Sequence, residues 1–297
     1  MFQVFDECNG GDLNMLLKQK GPLPESQCLM ILKQIVSGLS EFEKLQVMHR
    51  DLKLANMFLH FPDFKIERKD SAKLKFLKQV DLEKVKFVVK IADLGFAREV
   101  LFEENYYLRQ YCGSPLLMPP QVLNKRNYNF KADLWSLGVV YFQLLYGSYP
   151  FPAQDKEQLK RRLSLGTYVI PKAIDISIDG LQFICKCLTY QQEKRISYEE
   201  LLSLPYLTKK EGVKEKFRTS AEMQHMVRLK LKGRDSRLDS KKQKNRGSDI
   251  SISMVSDDKN IYMNTREPSF FNNLLEQAKN EVIRQIEEEK ENFSINA

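Results

Sequence analysis

The stretch that decides the fold runs from His49 to Asn56, H-R-D-L-K-L-A-N, between a long amphipathic helical pattern and a strand-like run. Phosphoryl transfer needs a carboxylate close to the attacking hydroxyl, a cation on the transferred group and oxygen ligands for Mg²⁺. Asp51, Lys53 and Asn56 supply one of each. For Arg-Asp-Leu-Lys taken alone, an ordinary polar surface turn is the better explanation, so the assignment needs a second element.

That second element is V-V-K-I-A-D-L-G, from Val88 to Gly95. A β-branched run predicts a strand, and the strand is followed by Asp93 and a turn glycine. Because a strand end holds its next side chain rigidly and the glycine allows a tight turn, this arrangement can aim a carboxylate at a metal ion. The two stretches together favour a phosphoryl-transfer site over a surface turn.

The segment from Ala132 to Gly147 is apolar nearly all round, which predicts a helix buried on every side. Asp133 stands in its first turn, where a buried charge must accept hydrogen bonds or cost several kcal/mol. It is explained either as a helix-start charge that faces the dipole or as an anchor for the backbone of the catalytic loop. The two explanations are compatible.

The remaining elements follow from periodicity and from helix or strand punctuation. The patterns predict helices at Asp12–Lys20, Pro24–Leu45, Asp155–Leu163, Ile178–Leu188 and Tyr198–Leu204, and strands at Phe2–Phe5 and Met57–Leu59. Residues 61–86 are predicted to form an inserted surface loop, helical in part, and residues 93–121 a long functional loop.

Composition indicates a globular protein: 42% of the 297 residues are hydrophobic, enough for a sizeable core. The longest apolar stretch is far shorter than the roughly 20 residues that span a bilayer, and the N-terminus lacks a secretory pattern. The five cysteines lack the spacing of a zinc site. We therefore expect reduced thiols in a cytosolic or nuclear protein, and of the two we assign the chain to the cytoplasm.

The net charge of +8 is concentrated in one segment. Residues 208–250 contain 14 Lys and Arg against 6 Asp and Glu, a net +8, so the rest of the chain is close to neutral. We predict a disordered basic linker over residues 208–267, and prefer this to binding of nucleic acid or anionic lipid through Lys209–Arg246.

Residues 268–297 are predicted to form a terminal amphipathic helix. Its apolar residues recur every four positions at Phe270, Leu274, Ala278, Val282 and Ile286. Such a helix can dock on the domain or bind a partner through residues 268–293, and it is too short for a coiled coil.

Four motifs in order resemble the C-terminal lobe of a eukaryotic protein kinase: H-R-D-L-K-L-A-N, D-L-G, C-G-S-P-L-L-M-P-P-Q and D-L-W-S-L-G-V-V. The resemblance covers residues 1–207. It implies a mainly α fold, with small β-hairpins and only the last strand of the N-terminal lobe. Within the kinases, I-A-D-L-G-F-A-R and Y-C-G-S-P-L-L-M look most like the autophagy-initiating Ser/Thr kinases.

The resemblance implies ATP and Mg²⁺ as cofactors and a protein as substrate. Asp51 would accept the proton of the substrate hydroxyl, Lys53 would steady the phosphoryl group, Asn56 and Asp93 would hold Mg²⁺, and Asp133 would support the catalytic loop. The position of Lys53, two residues after Asp51, with Ser114 in the later segment, is similar to Ser/Thr rather than Tyr kinases. The hinge and nucleotide contacts would be Phe5 as gatekeeper, then Asp6, Glu7, Cys8 and Asp12.

Three positions depart from the family pattern. Leu94 replaces a Phe, and we expect little loss from the exchange. Gln121 stands where the family has a Glu that pairs with an Arg matching Arg195, so we expect a weaker link. Gln110 occupies the place where related kinases often carry a phosphorylatable Thr. This argues against activation by a phosphate group that pairs with Arg50.

The sequence contains no G-x-G-x-x-G ahead of the hinge and no V-A-I-K lysine. Two explanations are open: a truncated chain from an active Ser/Thr kinase, or a half-kinase that serves as a catalytically weak or inactive binding scaffold. The loss of each phosphate contact typically raises the activation free energy by a few kcal/mol.

Overall fold

The computed structural model describes residues 7–100, 108–171, 176–208 and 260–264. Its α-helices are α1 (Leu13–Lys20), α2 (Glu25–Lys44), α3 (Asp70–Gln79), α4 (Pro120–Leu123), α5 (Lys131–Tyr146), α6 (Lys156–Leu165), α7 (Ile178–Cys187), α8 (Tyr198–Ser203) and α9 (Pro205–Thr208). Its strands are β1 (Val47–Met48), β2 (Met57–His60), β3 (Val88–Ile91), β4 (Arg98–Glu99), β5 (Thr167–Pro171) and β6 (Asn260–Asn264). The described fold is mostly helical, as predicted.

Helix α5 is the centre of the core. Every residue from Ala132 to Tyr146 is buried, which confirms the prediction from its all-round apolar pattern. The helix ends at Gly147, whose φ of 68° places it in the left-handed conformation that closes many helices. Trp135 stacks on Phe151 with ring centroids 5.7 Å apart, so the loop after the helix folds back onto it.

Helices α1 and α2 confirm the amphipathic patterns ahead of the octapeptide. Asp12 caps α1, because its carboxylate accepts a hydrogen bond from the Met15 amide at 2.8 Å. Helix α2 buries one face, formed by Cys28, Ile31, Leu32, Ile35, Val36, Leu39 and Ser40. The amide of Leu23 donates to the carbonyl of Leu144 at 2.9 Å, which ties the turn between the two helices to α5.

Two small antiparallel pairs hold the predicted site. Strand β2 pairs with β3 in the register Met57 opposite Ile91, and β1 pairs with β4 in the register Met48 opposite Arg98. The pair β2–β3 confirms the two predicted strands. Strands β1 and β4 have two residues each and carry no hydrophobic alternation, which is why the sequence did not indicate them.

The predicted surface insert at residues 61–86 contains the ten-residue helix α3 and is fastened to the domain. Phe61 and Phe76 meet edge to face at 4.9 Å, and Leu77 is fully buried. The Asn9 side chain bonds the Phe61 backbone through both its oxygen and its nitrogen. The insert therefore belongs to the packed domain and is more than a surface loop.

Helices α6, α7 and α8 confirm the three predicted helices of the C-terminal part. Asp155 caps α6 and Ser177 caps α7 with their side-chain oxygens. Ser197 and Glu200 form a reciprocal capping box at the start of α8. These polar caps explain why the boundaries were visible in the sequence.

The tail differs from its prediction at five residues. Within the predicted linker 208–267, residues 260–264 form β6 and pair antiparallel with β5. The pairing partner lies about ninety residues earlier, so a local pattern does not indicate it. The predicted strand Phe2–Phe5, Asp6 and the terminal helix 268–297 lie outside the described residues. Within the described ranges, no helix is both long and apolar enough to cross a membrane.

Candidate active site

The hairpin β2–β3 brings the octapeptide and the D-L-G element together. Asn56 precedes β2 and Asp93 follows β3, so antiparallel pairing places both at the same end of the hairpin. The Ala92 amide donates to the Asn56 carbonyl at 2.9 Å. His49 Nε2 lies 3.0 Å from the Ala92 carbonyl, and since a carbonyl only accepts, this nitrogen carries the proton.

Asp51 is surrounded by hydrogen-bond donors. Its Oδ2 accepts from Lys53 Nζ at 2.5 Å and from Asn56 Nδ2 at 3.2 Å. Its Oδ1 accepts from the amide and the hydroxyl of Ser114, both at 2.9 Å. Burial raises the pKa of Asp51, but the hydrogen bonds from Lys53 and Ser114 and the charge of Lys53 outweigh burial and lower it below the ordinary value. The carboxylate is therefore ionised at neutral pH and held from both sides.

Asp133 lies in the first turn of α5 and is almost completely buried. Its two oxygens accept hydrogen bonds from the amides of His49 and Arg50, at 2.8 and 2.9 Å. Burial raises the pKa of Asp133, while these two amides favour the carboxylate. One buried side chain thus fixes the backbone of the loop directly before Asp51.

Two oxygen-bearing side chains are available to a divalent cation. Both contacts of Asn56 Nδ2 go to Asp51, so the amide oxygen is directed away from that carboxylate. Asp93 is exposed, and its φ of 64° is uncommon for a residue with a side chain. One carboxylate and one amide oxygen suit Mg²⁺, which often takes one or two protein ligands and completes its shell with water and phosphate. The described residues contain no cluster of three His, Cys, Asp or Glu suited to a metal.

The described end of the predicted functional loop, residues 108–121, is called the substrate-side segment below, and it reaches the octapeptide His49–Asn56 at Gly113. Its φ is 95°, and a Cβ atom built there would lie 2.4 Å from the Arg50 carbonyl oxygen. Only glycine permits this backbone approach. The close contact places Ser114 against Asp51.

Arg50 is held by neutral acceptors. Its Nε donates to the Phe96 carbonyl at 2.6 Å, and its Nη1 donates to the Gln110 side-chain oxygen at 3.0 Å and to the Tyr128 hydroxyl at 3.3 Å. Burial raises the pKa of Tyr128 to about 12, so its hydroxyl keeps the proton that it donates to the Gln110 carbonyl at 2.8 Å. The Gln110 side chain occupies one of the donors of Arg50.

Arg195 is buried and bonds four neutral oxygens. Its Nη2 donates to the Gln121 side-chain oxygen at 3.1 Å, and the other acceptors are the carbonyls of Thr189, Lys131 and Tyr190. Burial lowers its pKa to about 9, which still leaves it charged at neutral pH. The guanidinium also lies 5.0 Å from the Trp135 ring centroid, a cation–π distance. Gln121 therefore makes one hydrogen bond here and no ion pair.

The residues expected near the nucleotide are only partly described. The Asp12 carboxylate caps α1, and its backbone bridges to Phe58 of β2, next to Met57 and the catalytic loop. Glu7 is exposed and pairs with Arg68 of the insert at 2.8 Å. Cys8 is half-buried, whereas Phe5 and Asp6 lie outside the described residues. The nucleotide-contacting role of these residues stays a prediction.

Two residues of this network were not singled out by the sequence patterns. His49 bridges the loop to Ala92, and Tyr128 joins Arg50 to Gln110. The histidine opens the octapeptide, so its position was a usable signal. Tyr128 sits in N-Y-N-F, where nothing local indicates that its hydroxyl meets residues far away in the chain.

Comparison with known proteins decides the family. The family model described as the protein kinase domain matches residues 1–207 of this chain. The chain belongs to the protein kinase family. The kinase domain is 33% identical over 214 residues to a probable cell cycle serine/threonine-protein kinase, the CDC5 homolog of Encephalitozoon cuniculi, covering 71% of this chain and 40% of that relative.

Two further relatives are serine/threonine-protein kinases of the type that the motifs suggested. ATG1b of Arabidopsis thaliana is 31% identical over 211 residues, covering 70% of this chain and 26% of the relative. The kinase unc-51 of Caenorhabditis elegans is 32% identical over 218 residues, covering 70% of this chain and 22% of the relative. The matched part of the chain thus spans less than half of these relatives.

Proposed function

We propose that this kinase domain transfers the γ-phosphate of ATP to Ser and Thr hydroxyls of proteins. The observation that carries the proposal is the Asp51 carboxylate, held by Lys53, Asn56 and Ser114 on a loop that Asp133 anchors. A binding surface alone does not require an ionised carboxylate with a lysine at 2.5 Å and an oriented amide beside it.

Each side chain has a distinct part in this chemistry. Asp51 orients the substrate hydroxyl and accepts its proton, and a lowered pKa keeps it ionised for that task. Lys53 neutralises charge on the transferred group after exchanging its contact with Asp51 for a phosphate oxygen. Asn56 and Asp93 would hold Mg²⁺, and the ion would supply positive charge next to the phosphate groups during transfer.

Ser114 supports the choice of Ser and Thr as acceptors. Its hydroxyl and amide both bond Asp51, and so it fixes the substrate-side segment close to the carboxylate. The three relatives that the chain matches are serine/threonine kinases, which supports the same choice.

We further propose a cytoplasmic role in the signalling that starts autophagy. The support is the resemblance in I-A-D-L-G-F-A-R and the similarity to ATG1b and unc-51. In starved cells, the chain should phosphorylate a candidate substrate protein. The exchange Asp51→Asn should abolish this phosphorylation. Unchanged phosphorylation in that variant would contradict the assignment.

Nucleotide binding tests the metal and phosphate side of the proposal. MgATP should raise the melting temperature of the full chain, since a ligand at 100 times its Kd stabilises by about 2.7 kcal/mol. Asp93→Ala should abolish the magnesium-dependent part of this shift. The matched control is Asp63→Ala, an exposed aspartate of the insert, which should keep the full shift. Equal shifts in both variants would exclude Asp93 as a ligand.

Phosphate transfer tests the carboxylate. With a Ser-containing peptide, Asp51→Asn should lower turnover by about 10²–10⁴-fold, because the residue that accepts the proton is removed. Asp63→Asn should leave turnover unchanged, and a Tyr peptide should be a poor substrate. MgATP binding without transfer by the wild-type chain would favour the alternative role, a binding scaffold.

A further inference from the structure

Strand β5 has its strand partner in the tail. Among the residues that the structure describes, β5 pairs only with β6, in a two-stranded antiparallel sheet from Thr167 opposite Asn264 to Pro171 opposite Asn260. Thr208 and Asn260 are separated by 51 residues of sequence. A short distant segment therefore supplies the backbone hydrogen bonds of this strand.

Met263 attaches the segment to the core. It stands opposite Tyr168, and residues that face each other across an antiparallel pair point to the same side of the sheet. Tyr168 is buried with its ring against Phe142 and Phe151, and Met263 itself is only 1% exposed. Burial of this one side chain distinguishes a docked strand from a segment lying on the surface.

We propose that the edge of β5 is a peptide-docking site and that residues 260–264 of the same chain are its occupant. Backbone pairing along β5 supplies affinity for any extended segment, and the buried position opposite Tyr168 selects a flexible apolar side chain such as that of Met263. The docking tethers the tail, and with it residues 265–297, to the kinase domain.

The proposal assigns the occupant to its own chain. The structure pairs β6 with β5 of the same molecule. The 51 intervening residues can reach about 170 Å when extended, many times the size of a domain of this length, so chain length does not force an exchange between copies.

The site is separate from the catalytic loop. Helix α6 spans about 15 Å between Lys156 and β5. The Lys156 ammonium group lies 4.2 Å from the ring centroid of Tyr111 in the substrate-side segment. The docked tail thus sits one helix length from that segment, and its binding can be tested without measuring phosphate transfer.

The experiment measures binding of a labelled peptide with the sequence of residues 257–267 to the full chain by fluorescence anisotropy. Met263→Asp removes the resident strand, because burying an unpaired carboxylate at this position is costly. This variant should bind the peptide with a Kd on the order of 10–100 µM, whereas the wild-type chain should bind it at least about tenfold more weakly, since its own tail competes.

The matched control is Met254→Asp, the same exchange in the tail but outside residues 260–264. It should behave like the wild-type chain, and a peptide carrying the Met263→Asp exchange should not bind any form. Equal peptide binding by the wild-type and Met263→Asp chains, or none by the variant, would overturn the docking site.

A milder variant keeps the test decisive if Met263→Asp does not fold. In Met263→Ala, hydrogen exchange at residues 167–171 should accelerate at least about tenfold over the wild-type chain, because a loosened β6 exposes the β5 amides. Unchanged exchange would contradict docking. Wild-type protein that is dimeric at 1–100 µM, and becomes monomeric in either Met263 variant, would show exchange between copies and overturn the assignment to the same chain.

Discussion

Two aspartates and two arginines around the candidate site are held in opposite ways. Asp51 and Asp133 are buried carboxylates, and each of their oxygens accepts at least one N–H or O–H donor. Arg50 and Arg195 are cations whose acceptors are neutral oxygens, including the amides of Gln110 and Gln121. Each carboxylate therefore receives several donors, whereas among the described residues the two guanidinium groups have no carboxylate partner.

The contrast concerns the substrate-side segment, because Gln110 and Gln121 attach this segment to Arg50 and Arg195. A hydrogen bond from a guanidinium to an amide lacks the bidentate geometry and the full charge of an ion pair. The two glutamine contacts are therefore weaker than ion pairs would be, while Ser114 holds the same segment on the Asp51 carboxylate. Substitutions at four positions test this contrast, beginning with the strongest contact.

The largest effect is expected at Asp133. Asp133→Asn keeps one acceptor but turns an NH₂ group toward a backbone amide, so one buried donor loses its partner. We expect the free energy of unfolding to fall by about 3–5 kcal/mol in urea titration. Asp63→Asn, an exposed control, should change it by less than about 0.5 kcal/mol. Similar values for the two variants would show that Asp133 does not anchor the loop.

Gly113→Ala tests the contact between the octapeptide His49–Asn56 and the substrate-side segment. Gly113→Ala puts a Cβ atom 2.4 Å from the Arg50 carbonyl and should cost about 2–4 kcal/mol, measured by urea unfolding. Gly21→Ala is the matched control, because Gly21 also has a positive φ of 72° but a Cβ atom there would meet nothing within 4 Å. It should cost about 1 kcal/mol. Equal costs would mean that the close approach is unimportant.

A carboxylate at position 121 should strengthen the buried contact. Gln121→Glu pairs Arg195 with a charge but loses the donation from Gln121 to the Tyr190 carbonyl, so we expect a net gain of about 1 kcal/mol at pH 7. Arg195 lowers the pKa of the new carboxylate, so the gain is present above its unfolded pKa and is lost as pH falls through the folded pKa. Unfolding measured at pH 7 and at about pH 2, below the lowered pKa of the folded carboxylate, checks the sign. A gain that persists at about pH 2 would argue against an ion pair.

The smallest effect is expected at Gln110. Gln110→Glu places a carboxylate beside Arg50 at an exposed position, where solvent screens the pair, so the gain should be at most about 0.5 kcal/mol. It should disappear in 1 M salt, where the screening length falls to about 3 Å. A gain in stability as large as that of Gln121→Glu would show that burial does not explain the difference between the two arginine sites. Loss of turnover in Gln110→Ala would show that the amide contact itself orders the segment.

Much of the fold was visible in local patterns. Helices α1, α5, α6, α7 and α8 were predicted because each has apolar periodicity or all-round apolarity together with polar caps or terminal glycines. Helix α2 was predicted from its periodicity and from Pro24 at its start. Strands β1 and β4 were missed because two residues carry no periodicity. Strand β5 alternates in burial but was missed because its partner lies in the distant tail. The insert was placed correctly between two strands, but its docking through Phe61 and Phe76 depends on the surface that it meets.

The sequence by itself determined the chemical inventory of this kinase domain. It specified which residues carry a carboxylate, an amine or an amide in the octapeptide and D-L-G element, and which apolar segment forms the buried helix. Those properties are local, since spacing along the chain and side-chain chemistry are enough to recognise them. Tertiary structure decided the partners: Asp133 with the loop amides, Tyr128 with Gln110, and Met263 with β5. Such contacts join residues far apart in the chain, and only the packing of the whole domain selects among the many donors and strand edges that could satisfy each group.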